Sequence, residues 1–551
     1  MIKIGILCKD LKYIRHFEYR IIKEIIEDND LELSLLIFDG RKTKKRNSFL
    51  EKIFRDIKNG QFISKVILKI QEVIENKLFK INNNINIDNL DELLKNVDRV
   101  FLNPERKGHV DFFTNSQSEQ IRKYNLDIIL RHEFNIIKGS ILNSSKNGIW
   151  SFHHADNRIN RGGPSCFWEI ILKQQNVGVT LQKLTPELDG GYIIDRSSYN
   201  RHWSWIKTRN IVQESSVSLL MKNINRLKQN KITYQKSALY YHKLYKFPGL
   251  FYSIKYISSF YYNIILRVFK RINAKLFNAK YSYWTLIISK GNFFNSVLHK
   301  LKPIKPPSNE FWADPFIAEH KGNKYVFFEN YEYEKSKGKI SCGKIVNNNL
   351  IEIEDVLDKD YHLSYPNIFP YDNEFFMIPE ANQNSRLEIY KCVSFPNKWE
   401  LYSSAFQGEQ IVDCNFYKDN MNQNWLFLNK RTKDSDDCSD LYIYHIDSLE
   451  LNTITPHSDN PVVTNSSIAR NAGPIFNYND KIFRPSQRNI DGIYGKGLNI
   501  NQIITLNLNE YKEVLVKKCL PFFQDNLQGI HHIHQTKDLF VIDICYKKNK
   551  N

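Results

Sequence analysis

The chain has 551 residues, 42% of them hydrophobic and 25% charged, which excludes a disordered or collagen-like protein and exceeds the length of one ordinary domain. Its net charge is +18, but apart from a run at Arg41–Arg46 and a Lys-rich tail at Lys547–Lys550 the basic residues are dispersed. That pattern describes a solvated basic surface and gives no specific nucleic-acid partner. Eight cysteines without a CxxC pair argue against a zinc site or a disulfide framework and fit a reducing compartment.

The chain opens directly on an apolar run, IKIGILC (2–8), with no signal-peptide pattern, and the reading is a cytoplasmic protein. Residues 13–27 carry apolar positions at helical spacing, and LELSLLIF (31–38) is a second strand. This β-α-β beginning predicts a doubly wound parallel sheet. A glycine-rich dinucleotide loop is missing, because Gly5 lies inside the first strand. Residues 41–95 are polar and Lys/Asn-rich, with an Asn patch at Asn82–Asn86, and read as a partly helical surface insertion. Strand patterns resume at 97–102, 126–130 and 149–152, with a helix near 115–124.

Residues 211–229 read as a helix closing this first domain, and residues 236–278 as an aromatic, basic, helical connector. Within it, Phe247–Phe269 comes nearest to a membrane span but is interrupted by Lys255 and Arg267. A packed inter-domain helix is the reading for it, with peripheral contact to a membrane surface as the alternative. From about Tyr281 the pattern changes to short strands and polar turns. Five similar segments recur at 312–329, 363–380, 411–428, 471–487 and 529–543, with onsets 51, 48, 60 and 58 residues apart. Five strand groups at a period near 50 predict an all-β five-bladed propeller. The strand around Tyr283–Ser289 is expected to complete the last blade. The fold class is thus multidomain, with α/β residues 1–210, a connector over 211–280, and the propeller over 281–551.

The stretch Gly148–Gly191 concentrates polar residues where strands give way to turns. His153 is followed by Arg161-Gly162, then by Gly178-Val179-Thr180 and Leu188-Asp189-Gly190-Gly191. In order and spacing these elements resemble the formyltransferase family, which includes methionyl-tRNA formyltransferase and sugar N-formyltransferases, over roughly residues 1–210. The resemblance implies an α/β formyltransferase-like fold and the cofactor 10-formyltetrahydrofolate. The implied activity is transfer of its formyl group to an amino sugar, carried on a nucleotide or as a polysaccharide precursor, in surface-glycan biosynthesis. It implies that His153 stabilises the oxyanion and that Asp189 orients it or relays a proton. Where the family has Asn, this chain has Ser151, a shorter and freely rotating hydroxyl. His154 is the alternative catalytic histidine, with His153 preferred on spacing. The resemblance places pterin contacts at Leu130, Arg131, His132, Glu133 and Phe134, and the acceptor at Asp156, Asn157, Arg158 and Arg161.

The propeller region resembles the five-bladed architecture of glycan-acting hydrolases and of propellers fused to glycosyltransferases, through its WADPF, HLSYP and MIPE elements. Asp314, Glu380 and Asp413 mark predicted strands of three successive blades and are the candidate funnel carboxylates, with Arg484, His531 and His532 as further contacts. The implied role is recognition of a glycan. A glycan-binding or glycoside-hydrolysing propeller beside an inactive first domain is the alternative. No metal site is expected, and the oligomeric state is not legible in the sequence.

Overall fold

The run IKIGILC forms a strand buried in the middle of a sheet, as its unbroken apolar pattern demands. The computed structural model describes residues 1–41, 54–81, 87–187, 190–237, 240–276, 280–431 and 436–549. Leu188, Asp189, the patch Asn82–Asn86, Lys550 and most of Arg41–Arg46 lie outside the described residues. The chain divides into two compact units, Met1–Asn263 and Ile264–Asn551, with the division falling inside a helix.

The first unit runs β1 (Ile2–Cys8), α1 (His16–Glu27), β2 (Leu31–Asp39), α2 (Phe62–Leu78), α3 (Ile87–Leu93), β3 (Asp98–Leu102), β4 (Glu105–Lys107), β5 (Val110–Phe113), α4 (Asn115–Arg122), β6 (Ile128–Arg131), β7 (Ile136–Gly139), β8 (Ile149–His153), α5 (Phe167–Ile171), β9 (Asn176–Lys183), β10 (Tyr192–Asn200) and α6 (Trp205–Lys228), then α7 (Leu250–Leu276), which continues past Asn263. Seven strands form one sheet in the order β10-β9-β8-β6-β1-β2-β3. β1 pairs in parallel with β2 and β6, and β8 with β6, while β9 and β10 add an antiparallel edge. Helix α1 buries Phe17, Ile21, Ile22 and Ile25 on one side, and the Glu18 carboxyl closes its first turn by accepting from Arg15 N at 2.9 Å. Ser204 caps α6, accepting from Lys207 N at 3.0 Å, and the helix packs against α1 and β10.

The second unit is β-rich. Its strands are β11 (Lys280–Lys290), β12 (Glu310–His320), β13 (Asn323–Glu332), β14 (Lys337–Val346), β15 (Asn349–Leu357), β16 (Ser364–Tyr371), β17 (Glu374–Glu380), β18 (Leu387–Ser394), β19 (Lys398–Ala405), β20 (Gln410–Lys418), β21 (Asn424–Arg431), β22 (Asp440–Ile446), β23 (Ile454–Pro456), β24 (Val463–Thr464), β25 (Phe476–Tyr478), β26 (Lys481–Ile490), β27 (Ile493–Leu506), β28 (Tyr511–Cys519), β29 (Leu527–Gly529), β30 (Ile533–Gln535) and β31 (Leu539–Asn549). They form five antiparallel sheets: β12–β15, β16–β19, β20–β23 with β24, β25–β28, and β11-β31-β29 with β30. Each of the first four sequence repeats supplies the first two strands of a sheet, and the fifth supplies β30 and the start of β31.

Apolar clusters join consecutive sheets. Phe316 and Phe327 pack with Tyr365 and Met377, Ile378 with Leu426, Phe427 with Ile503, and Phe483 with Phe540. A fifth cluster brings Leu286 and Ile288 of the last sheet against Trp312 and Val326 of the first. The five sheets therefore close into a propeller-like ring, each buried against its neighbours. β11 pairs with β31 from Lys280↔Asn549 to Lys290↔Leu539, so the expected closing strand does sit in the last sheet.

One local device recurs around the ring. The first strands of three sheets carry a register shift between Ala313 and Phe316, Ser364 and Asn367, and Val412 and Asn415. At each shift one residue occupies the left-handed region: Asp314 (φ 50°), Tyr365 (φ 47°) and Asp413 (φ 45°). Gly473 (φ 121°) holds the corresponding place in the fourth repeat. Non-glycine residues seldom adopt this conformation, and at Asp314 and Asp413 it turns the amide toward the preceding sheet.

Candidate functional site

In the first unit, Ser151, His153 and His154 sit at the end of β8, where the sequence places them. Ser151 is buried and accepts from Arg131 Nη1 at 3.1 Å. His153 Nε2 donates to the carbonyl of Asn160 at 2.7 Å, so this proton holds the following loop. His154 lies against Phe17 and Phe152, with ring centroids 5.7 and 5.4 Å away, and burial, reinforced by Arg15 and His153, pushes it down to about 3. It is a neutral packing histidine at ordinary pH.

The other residues expected here are largely engaged within the chain. Arg131 Nη2 donates to Phe134 O at 2.6 Å, and the amides of His132 and Glu133 donate to Leu7 O at 3.0 and 3.4 Å. The backbone edge expected to read a pterin is occupied at those two positions. Leu130 is buried, and the buried His132 ring is held neutral by desolvation, opposed by Glu18. Asp156 pairs with Arg158, Asn157 N donates to Thr180 Oγ1 at 3.3 Å, and Arg161 donates to Asn157 O at 2.9 Å and Ser237 Oγ at 2.8 Å. These contacts tie one loop together. Gly178 belongs to the same packing, since a Cβ there would lie 2.7 Å from the Asp156 backbone.

The second unit presents a denser constellation. A cavity of about 520 Å³ is lined by Asp314, Glu329, Glu380, Asp413, Asp437, Arg431, Arg470, His362 and His531, together with Trp284, Phe311, Tyr331 and Tyr494. Four of the six expected funnel residues, Asp314, Glu380, Asp413 and His531, converge there. Arg484 and His532 do not. Arg484 is fully buried, pairs with Glu513 at 2.7 Å and donates to Ile468 O at 2.6 Å and Asn471 Oδ1 at 3.1 Å. Its guanidinium crosslinks the fourth sheet to the segment before it, and the arginines at the cavity are Arg431 and Arg470. His532 is buried beside Phe316 and Tyr365 and is absent from the lining.

The left-handed residues organise the carboxyl groups. Asp314 N donates to Asp543 Oδ2 at 3.1 Å and Asp413 N to Glu380 Oε2 at 3.2 Å. In both cases a strand of one sheet accepts from the first strand of the next. Arg470 then spans three acids: Nε reaches Asp413 Oδ2 at 2.6 Å, Nη1 reaches Asp437 Oδ2 at 3.1 Å, and Nη2 lies 3.6 Å from Glu380 Oε2.

These surroundings divide the acids. Burial, then the nearby Asp413, raises Glu380 well above the usual carboxylate range, with Arg470 opposing. Burial, then Asp314, raises Glu329 likewise. Asp437 is held low, because Arg470 and Arg431 overcome its burial. Burial lifts Asp314 to about 7, with His531 opposing and Asp543 reinforcing. His531 is raised to about 9, because Asp543, 2.6 Å from Nδ1, and Asp314 outweigh its burial. Its ring stacks on Trp284 with centroids 4.0 Å apart.

Asp314, His531 and Asp543 place possible metal-ligand atoms within 4.8 Å of one another. The trio is already internally satisfied, since Asp543 Oδ1 accepts from His531 N and His532 N and Oδ2 accepts from Asp314 N. Sequence reasoning missed Glu329, Asp437, Arg470, Tyr494 and Asp543. Glu329 and Asp543 were within reach of it, because they end the first and fifth repeats as Glu380 ends the second.

A family model described as glucosamine inositolphosphorylceramide transferase 1, N-terminal, matches residues 297–531. Relatives include the glucosamine inositolphosphorylceramide transferase 1 of Oryza sativa subsp. japonica, 31% identical over 216 residues, 38% of this chain and 28% of that protein. The protein of the same name from Arabidopsis thaliana is 30% identical over 235 residues, 42% of this chain and 29% of its own length. The chain spans under a third of the length of the curated relatives it matches. Among solved structures, a 4-N formyltransferase from Francisella tularensis is similar at 16% identity and a TM-score of 0.27, covering 44% of this chain and 76% of that one. A GH43 β-xylosidase/α-arabinofuranosidase, CoXyl43, from a compost microbial metagenome is similar at 11% identity and a TM-score of 0.32, covering 44% and 92%.

These relatives correct the expected function. Both are named glucosamine inositolphosphorylceramide transferase 1, and neither is named as a folate-dependent formyltransferase. Formyl transfer from 10-formyltetrahydrofolate to an amino sugar is therefore set aside, as is the alternative of a glycoside-hydrolysing or merely glycan-binding propeller.

Proposed function

We propose that the protein takes part in sugar transfer and that the β-rich unit holds an amino sugar in its funnel. The observation that carries this reading is the convergence of Asp314, Glu329, Glu380, Asp413 and Asp437 on one cavity that also contains Trp284, Tyr331 and Tyr494. Carboxylates accept from sugar hydroxyls and pair with an ammonium, while aromatic faces cover the C–H side of a pyranose. A volume of about 520 Å³ lies in the range of small-ligand sites. The glucosamine in the relatives' name supports the same substrate class.

Transfer to an acceptor hydroxyl forms one C–O bond as another breaks. It needs a group to receive the acceptor's proton and one to donate to the departing oxygen. Glu380, kept protonated by burial, suits the donor. The Asp413 carboxylate, 2.6 Å from the Arg470 guanidinium, suits the acceptor of the proton.

Calorimetric titration with glucosamine, N-acetylglucosamine and glucose tests the reading. Glucosamine is expected to bind tightest, and Asp314→Asn to weaken it about tenfold by removing one charge-assisted contact. Absence of glucosamine binding by the full chain, or binding indifferent to the free amine, sinks the reading.

A further inference from the structure

The helix α2 is inside out. Its buried positions are Ser64, Leu68, Gln71 and Glu75, three of them polar. Its exposed positions include Ile63 (57% exposed), Val66, Ile70 (57%), Ile74 and Leu78, which recur at three- and four-residue spacing along one face. A soluble helix ordinarily turns such a stripe inward.

The orientation is fixed by chemistry. The Glu75 carboxylate accepts from Tyr256 Oη at 2.6 Å, Ile206 N at 3.1 Å, Gln71 Nε2 at 2.9 Å and Ser204 Oγ. Rolling α2 to bury its apolar face would strand this carboxylate and the donors that surround it.

Helix α7 repeats the arrangement. It buries Ser253, Tyr256 and Phe260 and exposes Phe251 (72%), Ile254, Tyr262, Ile265 (64%), Phe269 and Ile272 at helical spacing. Over 27 residues it carries Lys255, Arg267, Lys270, Arg271 and Lys275 and no acidic residue. Among the described residues no helix is long and apolar enough to cross a membrane.

We infer that the outer face of α2 and the outer face of α7 are each built to dock on anionic lipid, each helix lying in the plane of the headgroups. The apolar stripes enter the acyl boundary, and the bases flanking the α7 stripe meet lipid phosphates and carboxylates. Charge decides the occupant. A second copy would bring the same five bases of α7 against themselves, whereas an anionic leaflet complements them.

Flotation of the full chain with phosphatidylcholine vesicles containing about 30% phosphatidylserine tests the inference. The protein is expected to float with them, about tenfold less with pure phosphatidylcholine, and less as salt rises. Ile70→Glu with Ile265→Glu is expected to lower the partition at least tenfold, and Lys270→Gln with Arg271→Gln to lower it about tenfold and flatten its salt dependence. These positions are exposed, so unchanged thermal unfolding of each variant confirms that folding is intact. Failure to float with the anionic vesicles, or flotation indifferent to both pairs, overturns the inference. So does a stripe variant that only converts a dimer to a monomer in light scattering, which would assign the face to a second copy.

Discussion

Replacing Arg470 by methionine removes a side chain that touches Asp413, Glu380 and Asp437 together. The guanidinium is 6% exposed and the Asp413 carboxylate 3%, so water cannot take over the lost pairing. Glu380 is kept protonated and Asp437 retains Arg431 at 2.5 Å, which leaves Asp413 as the stranded charge, with Gln487 Nε2 at 3.1 Å as its remaining side-chain donor. Removing one partner of a buried ion pair costs about 3–5 kcal/mol. Urea unfolding at pH 8 should show that loss. Arg470→Met with Asp413→Asn should recover about 2 kcal/mol or more, since the charge and its desolvation penalty go together. A single variant that costs less than about 1 kcal/mol, or a double variant no more stable than the single one, refutes the reasoning.

Two further outcomes follow from the same kind of accounting. His531 has its pKa raised to about 9, so its ion pair with Asp543 contributes stability that is complete below the unfolded value of about 6.5 and is lost as pH rises through 9. About 3 kcal/mol should disappear across that window in urea midpoints measured at successive pH values, and His531→Asn should flatten the curve there. In the first unit, Glu75→Leu should cost about 2–4 kcal/mol by stranding Tyr256 Oη, Ile206 N and Ser204 Oγ, with faster hydrogen exchange at the start of α6 as the local signature.

The strand groups of the β-rich unit were legible because each repeat pairs a polar or small start with two apolar strands, and the ring needs that pattern five times. The same periodicity located Asp314, Glu380, Asp413 and His531. Arg484 was misplaced because its strand is right but its side chain turns toward Glu513. Arg470 lies one residue before the fourth repeat and Tyr494 beyond its end, so only closure of the ring brings them to the funnel. In the first unit the β-α-β opening and the strand ending on His153 were readable from local pattern. The loop contacts that engage His153, Asn157 and Arg161 were not, because they depend on partners such as Ser237, 76 residues beyond Arg161. The segment 41–95 read as a polar insertion, and no periodicity could show that α2 turns its polar side inward. That choice belongs to Glu75 and to partners more than 125 residues away.

The pairing of β11 with β31 has a consequence for the order in which the molecule is made. β11 leaves the ribosome before any of the other four sheets exists, yet its partner is the last strand of the unit. Until β31 emerges, β11 presents an unpaired apolar edge containing Leu286, Ile287 and Ile288. The first unit has meanwhile all its sheet strands available and can complete its fold. Maturation of the funnel is therefore a late, all-or-none event: Asp543, which holds both the Asp314 amide and His531, arrives on the strand that shuts the ring.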